Sequence, residues 1–209
     1  MTDSEINIKQ KLFDRWAPNY DILLTTIFYQ AIHKRLLEYV ELPENARVLD
    51  LGCGTGRLLE RLADTYPTLW GTGYDLSPEM IRQARQSKSD RHRPRLIFLE
   101  GNAEEMPFAQ WQFDAAFNTI SFLHYPHPNQ VLSEVQRVLR PGGKFYLVDF
   151  TRFGFIAGRS LSQSFGGSGN KIHFYPAPAR EELGTEAGLN RAQHYHLLGP
   201  VLLTIFTKD

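Results

Sequence analysis

Three glycines, Gly52, Gly54 and Gly56, alternate with Cys53 and Thr55 directly after the strand-like run Arg47–Leu51. A glycine loop there lets the backbone turn sharply and lie against a ligand with no Cβ in the way. Phosphate is the first ligand such a loop suggests. The dinucleotide fingerprint needs a third glycine at position 57, where Arg57 stands, and the P-loop needs Gly-Lys-Ser/Thr, which is absent, so neither signature is met. Asp75, at the end of the second strand-like run, can accept hydrogen bonds from both hydroxyls of a ribose; the bland reading is an acid flanking a helix. His124 follows the fourth such run. It has the right pKa range for a general base, and it reads equally well as a strand-end histidine bound to backbone. Cys53 reads better as a small loop filler than as a thiolate, since nothing beside it in sequence lowers its pKa. His194 and His196 alternate onto one strand face, but with no third ligand in view a solvated face is expected and no metal.

The elements that must hold these residues alternate. Strands are expected at 47–51, 69–75, 95–100, 113–120 and 143–150. Helices are expected at 56–64, 77–86, 129–139 and 179–189, the second opening on Ser77 as N-cap with Pro78 in the first turn. A closing hairpin turns around Gly199-Pro200. Residues 5–40 look helical, with Ile32, Leu36, Leu37 and Val40 on one face. The fold class implied is α/β: a doubly wound, Rossmann-like, seven-stranded and mainly parallel sheet with an antiparallel C-terminal hairpin, helices on both faces and an N-terminal helical cap. One domain is expected over 1–209: a cap at 1–44, a cofactor-binding core at 45–150, an acceptor-site loop at 151–178, and a helix and hairpin at 179–209. Residues 151–178 lack clear periodicity, and a long irregular loop in a compact domain is usually functional or disordered.

The segment "VLDLGCGTG" resembles the first motif of class I S-adenosylmethionine-dependent methyltransferases. "GYDLSPEMI", "GNAEEMPF", "FDAAFNTISFLHY" and "VLRPGGKFYLVDF" follow in the order of that family's later motifs. The resemblance implies that S-adenosylmethionine lies on the loop Gly52, Cys53, Gly54, Thr55 and Gly56. It implies Asp75 on the ribose and Leu76 and Met80 flanking the adenine. Asn102, Ala103 and Glu104 fall at the adenine edge, Asp50 falls near the amino end of the methionine tail, and Asn118 and Thr119 fall near the tail and sulfonium. Many relatives carry Asp where Asn102 stands; an amide offers both a donor and an acceptor, so binding is expected to survive.

"KLFDRWAPNYD" at 11–21 is similar to the opening segment of the ubiquinone/menaquinone C-methyltransferase branch (methyltransferase type 11). That resemblance implies Tyr20 closing over the cofactor, with Trp16 walling the site; the alternative is that Phe13 and Trp16 simply pack an amphipathic helix. The acceptor implied is a small molecule, a quinol or another aromatic or apolar metabolite, with His124 as the base. His173 and Tyr175 are weaker candidates for that role. The aromatics at 11–21 and Phe153, Phe155, Phe165 and Tyr175 are expected to form a lid, hinged at Gly166, Gly167 and Gly169. Arg152, Arg159 and Lys171 would orient an anionic acceptor or only solvate the loop. The chain is shorter than is usual for the quinone enzymes, and the segment after the fifth strand is compressed. A non-catalytic cofactor-binding protein is the second reading. A nucleic-acid methyltransferase is disfavoured, because "NTISFLHY" stands where an Asn/Asp-Pro-Pro-Tyr/Phe motif is expected.

Lys and Arg number 23, as do Asp and Glu, so nothing in the balance favours nucleic acid. A single cysteine fits a reducing compartment, "MTDSEINIKQ" has no apolar leader, and "VLLTIF" is too short to span a bilayer. The expectation is a soluble cytoplasmic protein with no stable membrane insertion; oligomeric state leaves no signal.

Overall fold

The computed structural model describes residues 23–89, 92–151, 163–165 and 172–209. Helix α1 is Leu23–Leu37, followed by β1 (Arg47–Leu51), α2 (Arg57–Thr65), β2 (Trp70–Asp75), α3 (Pro78–Ser87), β3 (Leu96–Glu100) and β4 (Phe113–Thr119). A 3-10 turn, Phe122–His124, leads to α4 (Pro128–Val138) and β5 (Leu139–Phe150). Then come β6 (Gln163–Phe165), β7 (Ile172–Phe174), α5 (Ala177–Glu186), β8 (Leu189–Leu198) and β9 (Val201–Lys208).

Seven strands form one sheet in the order β3-β2-β1-β4-β5-β9-β8. The pairs from β3 to β5 are parallel, and β9 runs antiparallel to β5 and β8. Strand order reverses between β1 and β4, which places a ligand crevice at their carboxyl ends. Successive side chains of β1 feed two cores. Val48 joins Ile32, Leu36, Leu59 and Leu62 on the face covered by α1, α2 and α3. Leu49 joins Val131, Val135 and Phe206 on the face covered by α4 and α5. Each fully buried aliphatic side chain contributes about 1.5–3 kcal/mol. In the expected stripe of α1, Ile32, Leu36 and Val40 are buried, whereas Leu37 is only partly covered.

The expected helix starts are present. Ser77 Oγ accepts the Met80 amide at 3.2 Å, with Pro78 in the first turn of α3. Two features depart from the sequence reading. The fifth strand begins at Leu139, which pairs with Phe113, and four residues then bulge out before Lys144 pairs with Ala115. A small antiparallel pair, β6 and β7, lies within the stretch read as irregular.

Arg180 locks the second half of the sheet. Its guanidinium donates to the carbonyls of Tyr175 (2.9 Å), Leu202 (2.8 Å) and Asp149 (3.0 Å), although only 1% of the residue is exposed. At the other end, β3 is an edge strand. Arg85 donates to the Phe98 carbonyl (2.7 Å) and Lys88 to the Leu96 carbonyl (2.8 Å). No helix among the described residues is long and apolar enough to cross a membrane.

Candidate active site

Two clefts open at the strand-order reversal and share Gly52, Gly54 and Thr119. The first, about 860 Å³, runs along Asp75, Leu76, Met80, Asn102, Ala103, Glu104, His124 and Tyr125. The second, about 610 Å³, runs along Asp50, Cys53, Thr55, Arg57 and Arg61 to Tyr29 and His33 of α1.

The three glycines all have positive φ, but for different reasons. Gly54, at φ 51°, has nothing within 4 Å of where a Cβ would stand; its bare face belongs to both clefts. Gly56, at φ 80°, caps the start of α2, and a Cβ there would meet the Phe98 ring at 2.6 Å. It lines neither cleft, so its role is to let α2 pack against β3 rather than to meet a ligand. At Gly52 a Cβ would collide with the Ser121 side chain.

Asp75 fixes the loop. Its Oδ2 accepts the Gly54 amide at 2.7 Å and its Oδ1 accepts the Ser77 amide at 2.9 Å. Asp50 is 2% exposed, and burial and the nearby Asp75 charge push its carboxyl well above the usual range. Burial first, then the Asp75 and Asp50 charges, push the Cys53 thiol up. Asn102 Oδ1 accepts the Glu104 amide at 3.1 Å. Glu104 in turn accepts the His127 amide at 3.2 Å and lies 3.1 Å from that ring's Nδ1, tying the wall of the first cleft to α4.

Side-chain alternation along β4 separates two neighbours expected at the cofactor. Thr119 lines both clefts, and its Oγ1 is buried with no hydrogen-bond partner among the described residues. Asn118 lies behind the wall, its Nδ2 within hydrogen-bonding distance of the Leu51 carbonyl (3.0 Å), Ser121 Oγ (2.7 Å) and Tyr125 Oη (3.0 Å), which share its two N–H groups. His124 lines the first cleft from the 3-10 turn, whose Leu123 amide donates to Asp149 Oδ2 at 2.9 Å.

Other candidates are placed elsewhere. Tyr175 is buried against Phe122 at 5.4 Å, with its hydroxyl pushed up to about 12 by burial, and it lines neither cleft. His194 sits between Thr204 Oγ1 (3.0 Å) and Glu181 Oε1 (2.8 Å), so both ring nitrogens are engaged. No group of three metal-ligating residues occurs among the described residues. Tyr20, Phe13, Trp16, Arg152, Phe153, Phe155, Arg159 and Lys171, the Phe165 side chain and the expected hinge glycines lie outside the described residues. The sequence reading missed Tyr29, His33, Arg57 and Arg61. Their signal was the one-turn spacing within each helical pair.

A family model described as a methyltransferase domain matches residues 48–143. The 2-phytyl-1,4-naphtoquinone methyltransferase of Thermosynechococcus vestitus is 30% identical over 95% of this chain and 98% of its own length. The chain belongs to the class I S-adenosylmethionine-dependent methyltransferases. The demethylmenaquinone methyltransferase of Chlorobaculum parvum is 34% identical over 71% of this chain, which spans only 61% of that relative's length. A SAM-dependent methyltransferase from Thermotoga maritima shares the fold at a TM-score of 0.71 and 21% identity, covering 96% of this chain and 99% of that one.

The methyltransferase family's cofactor is S-adenosylmethionine, and the clefts fit it on their own chemistry. The open face of Gly54 admits a close ligand, and orphaned Thr119 Oγ1 and buried Asp50 both await polar partners. The first cleft offers apolar walls at Leu76 and Met80 beside the acid Asp75, a combination suited to an adenosine.

Proposed function

We propose that this chain transfers a methyl group to a small aromatic or apolar acceptor, with a quinol as the foremost class. The likeness to a naphthoquinone methyltransferase over nearly its whole length supports that reading best. Phe28 of α1 and Phe150 at the end of β5 also stack with centroids 6.0 Å apart, giving an apolar surface at the carboxyl end of the sheet.

The cofactor supplies a sulfonium methyl whose leaving group is already activated. The chain's residues then have three tasks. Asp75 holds the ribose while Leu76, Met80 and Ala103 enclose the base. Gly54 and Thr119 seat the tail, and Asp50 faces its ammonium. His124 takes the proton that a phenolic or carbon nucleophile must lose.

Turnover with methyl-labelled cofactor against quinols, phenols, carboxylic acids and amines tests this. Label is expected in quinol or phenol products, and His124→Gln should lower kcat by about 10²-fold or more with little effect on cofactor binding. Tight binding of S-adenosylhomocysteine with no labelled product from any acceptor would establish the non-catalytic alternative instead.

A further inference from the structure

The second cleft has a wall that the family motifs leave unexplained. His33 is buried, with 4% of its surface exposed, yet it lines the cleft. Its Nδ1 lies 2.9 Å from Arg61 Nη1. A guanidinium only donates, so Nδ1 must accept and the ring proton sits on Nε2. Burial first and the Arg61 charge second hold this histidine neutral, with its pKa pushed down to about 3. Tyr29 packs edge-on against the ring at 6.1 Å and limits its rotation.

The arrangement leaves two donors in search of an acceptor. Neither His33 Nε2 nor Arg61 Nη2 meets a partner among the described residues; the only bonds of Arg61 run from Nη1, to His33 and to the Arg57 carbonyl at 3.2 Å. Both residues line the cleft, so these donors face the space a ligand would enter. Arg57 adds a second positive charge beside Arg61. The same cleft holds Asp50, a buried carboxylate that no donor among the described residues reaches. One wall therefore calls for an anion and another residue for a cation. An inorganic anion or an anionic acceptor would meet the donors but leave Asp50 unmet. A ligand with both charges a few bonds apart is an α-amino acid.

We infer that His33 and Arg61 form the receptor for the carboxylate of the cofactor's amino-acid tail, with Asp50 taking its ammonium. The inference rests on the cofactor reading above and extends recognition to α1, outside the 48–143 segment that the family model matches. The neutral histidine donates one hydrogen bond and fixes the guanidinium that donates the next.

Calorimetry with two nucleosides tests it. S-adenosylhomocysteine carries the tail; 5′-methylthioadenosine shares the adenosine and thioether but lacks the tail. The wild type should prefer the first. His33→Phe and Arg61→Met should each weaken S-adenosylhomocysteine binding by roughly tenfold or more while leaving methylthioadenosine binding unchanged, so the preference collapses. Retained methylthioadenosine binding reports an intact fold. If His33→Phe does not fold, Arg61→Met, at a partly exposed position, carries the test alone. A folded variant that keeps the wild-type preference, or that loses both nucleosides equally, overturns the inference and leaves the cofactor reading standing. A wild-type protein that binds neither nucleoside removes the cofactor reading itself.

Discussion

The amide of Gly54 donates to the carboxylate of Asp75 at 2.7 Å, so the loop after β1 is built on the acid that ends β2. One carboxylate thus shapes the loop and faces the first cleft beside it.

Asp75→Ala is expected to lose more than a ribose contact. Removing its ligand hydrogen bonds should cost about 1.5–3 kcal/mol of S-adenosylhomocysteine affinity. Freeing the Gly54 and Ser77 amides should also lower stability by about 1 kcal/mol. Calorimetry and thermal melts measure the two losses separately. Affinity unchanged in a folded variant would make Asp75 a purely structural acid.

Gly54→Ala and Gly56→Ala should separate binding from folding. Both glycines have positive φ, which costs an L-residue about 1–2 kcal/mol. At Gly56 the added methyl also strikes the Phe98 ring, so that variant should be the less stable by melting temperature. At Gly54 the methyl enters the clefts, so that variant should be the weaker binder relative to its stability. The reverse ranking would contradict the roles assigned to the two positions.

Stability should respond to acid through His33. Its pKa is lowered from 6.5 to about 3, so below pH 6.5 the unfolded chain takes up a proton that the folded chain refuses. The folded state therefore loses about 3 kcal/mol from this group as pH falls from 6.5 to 4. His33→Gln should remove that slope in chemical denaturation measured across this range.

Asp149 carries the opposite sign. Burial raises its pKa from 3.8 to about 6 against the opposing Arg180 charge, so between these values the folded chain keeps a proton that the unfolded chain has lost. This contribution of about 3 kcal/mol is present at low pH and lost as pH rises through 6. Comparing Asp149→Asn with the wild type at pH 4.5 and pH 7 isolates it; a pH-independent difference between the two proteins would rule it out.

Arg180→Met should destabilise the fold by about 3–5 kcal/mol at pH 7, because it strands the Tyr175, Leu202 and Asp149 carbonyls and leaves the Asp149 charge without its buried counter-charge. Denaturant midpoints measure this. A loss below 1 kcal/mol would mean that water replaces the guanidinium.

Much of this architecture is legible in the chain because the local signals agree. An apolar run ending at Gly52 marks β1, and Ser77-Pro78 marks the start of α3 with the cap the structure contains. The early start of β5 is not legible. "VLRPGG" reads locally as a helix end and a turn, and only the tertiary pairing of Phe113 with Leu139 extends the strand. The first cleft follows the motifs, since Asp75, Met80 and Asn102 stand at or just beyond strand ends. The second does not, because His33 and Arg61 are 28 residues apart and meet only when α1 packs on α2. That Thr119 lines the clefts and Asn118 does not, although both were expected there, turns on the two-residue alternation of β4.

The charged caps on the β3 edge bear on how the molecule behaves in a crowd. The outward carbonyls of Leu96 and Phe98 are the hydrogen-bonding groups a foreign strand would recruit, and Lys88 and Arg85 already occupy them. Ile97 remains half exposed on the same strand, an apolar invitation beside a closed polar row. The opposite border, β8, is interrupted by register shifts between Asn190 and Gln193 and again between His196 and Leu198. The capped carbonyls on one border and the broken register on the other both work against edge-to-edge pairing between copies of this chain.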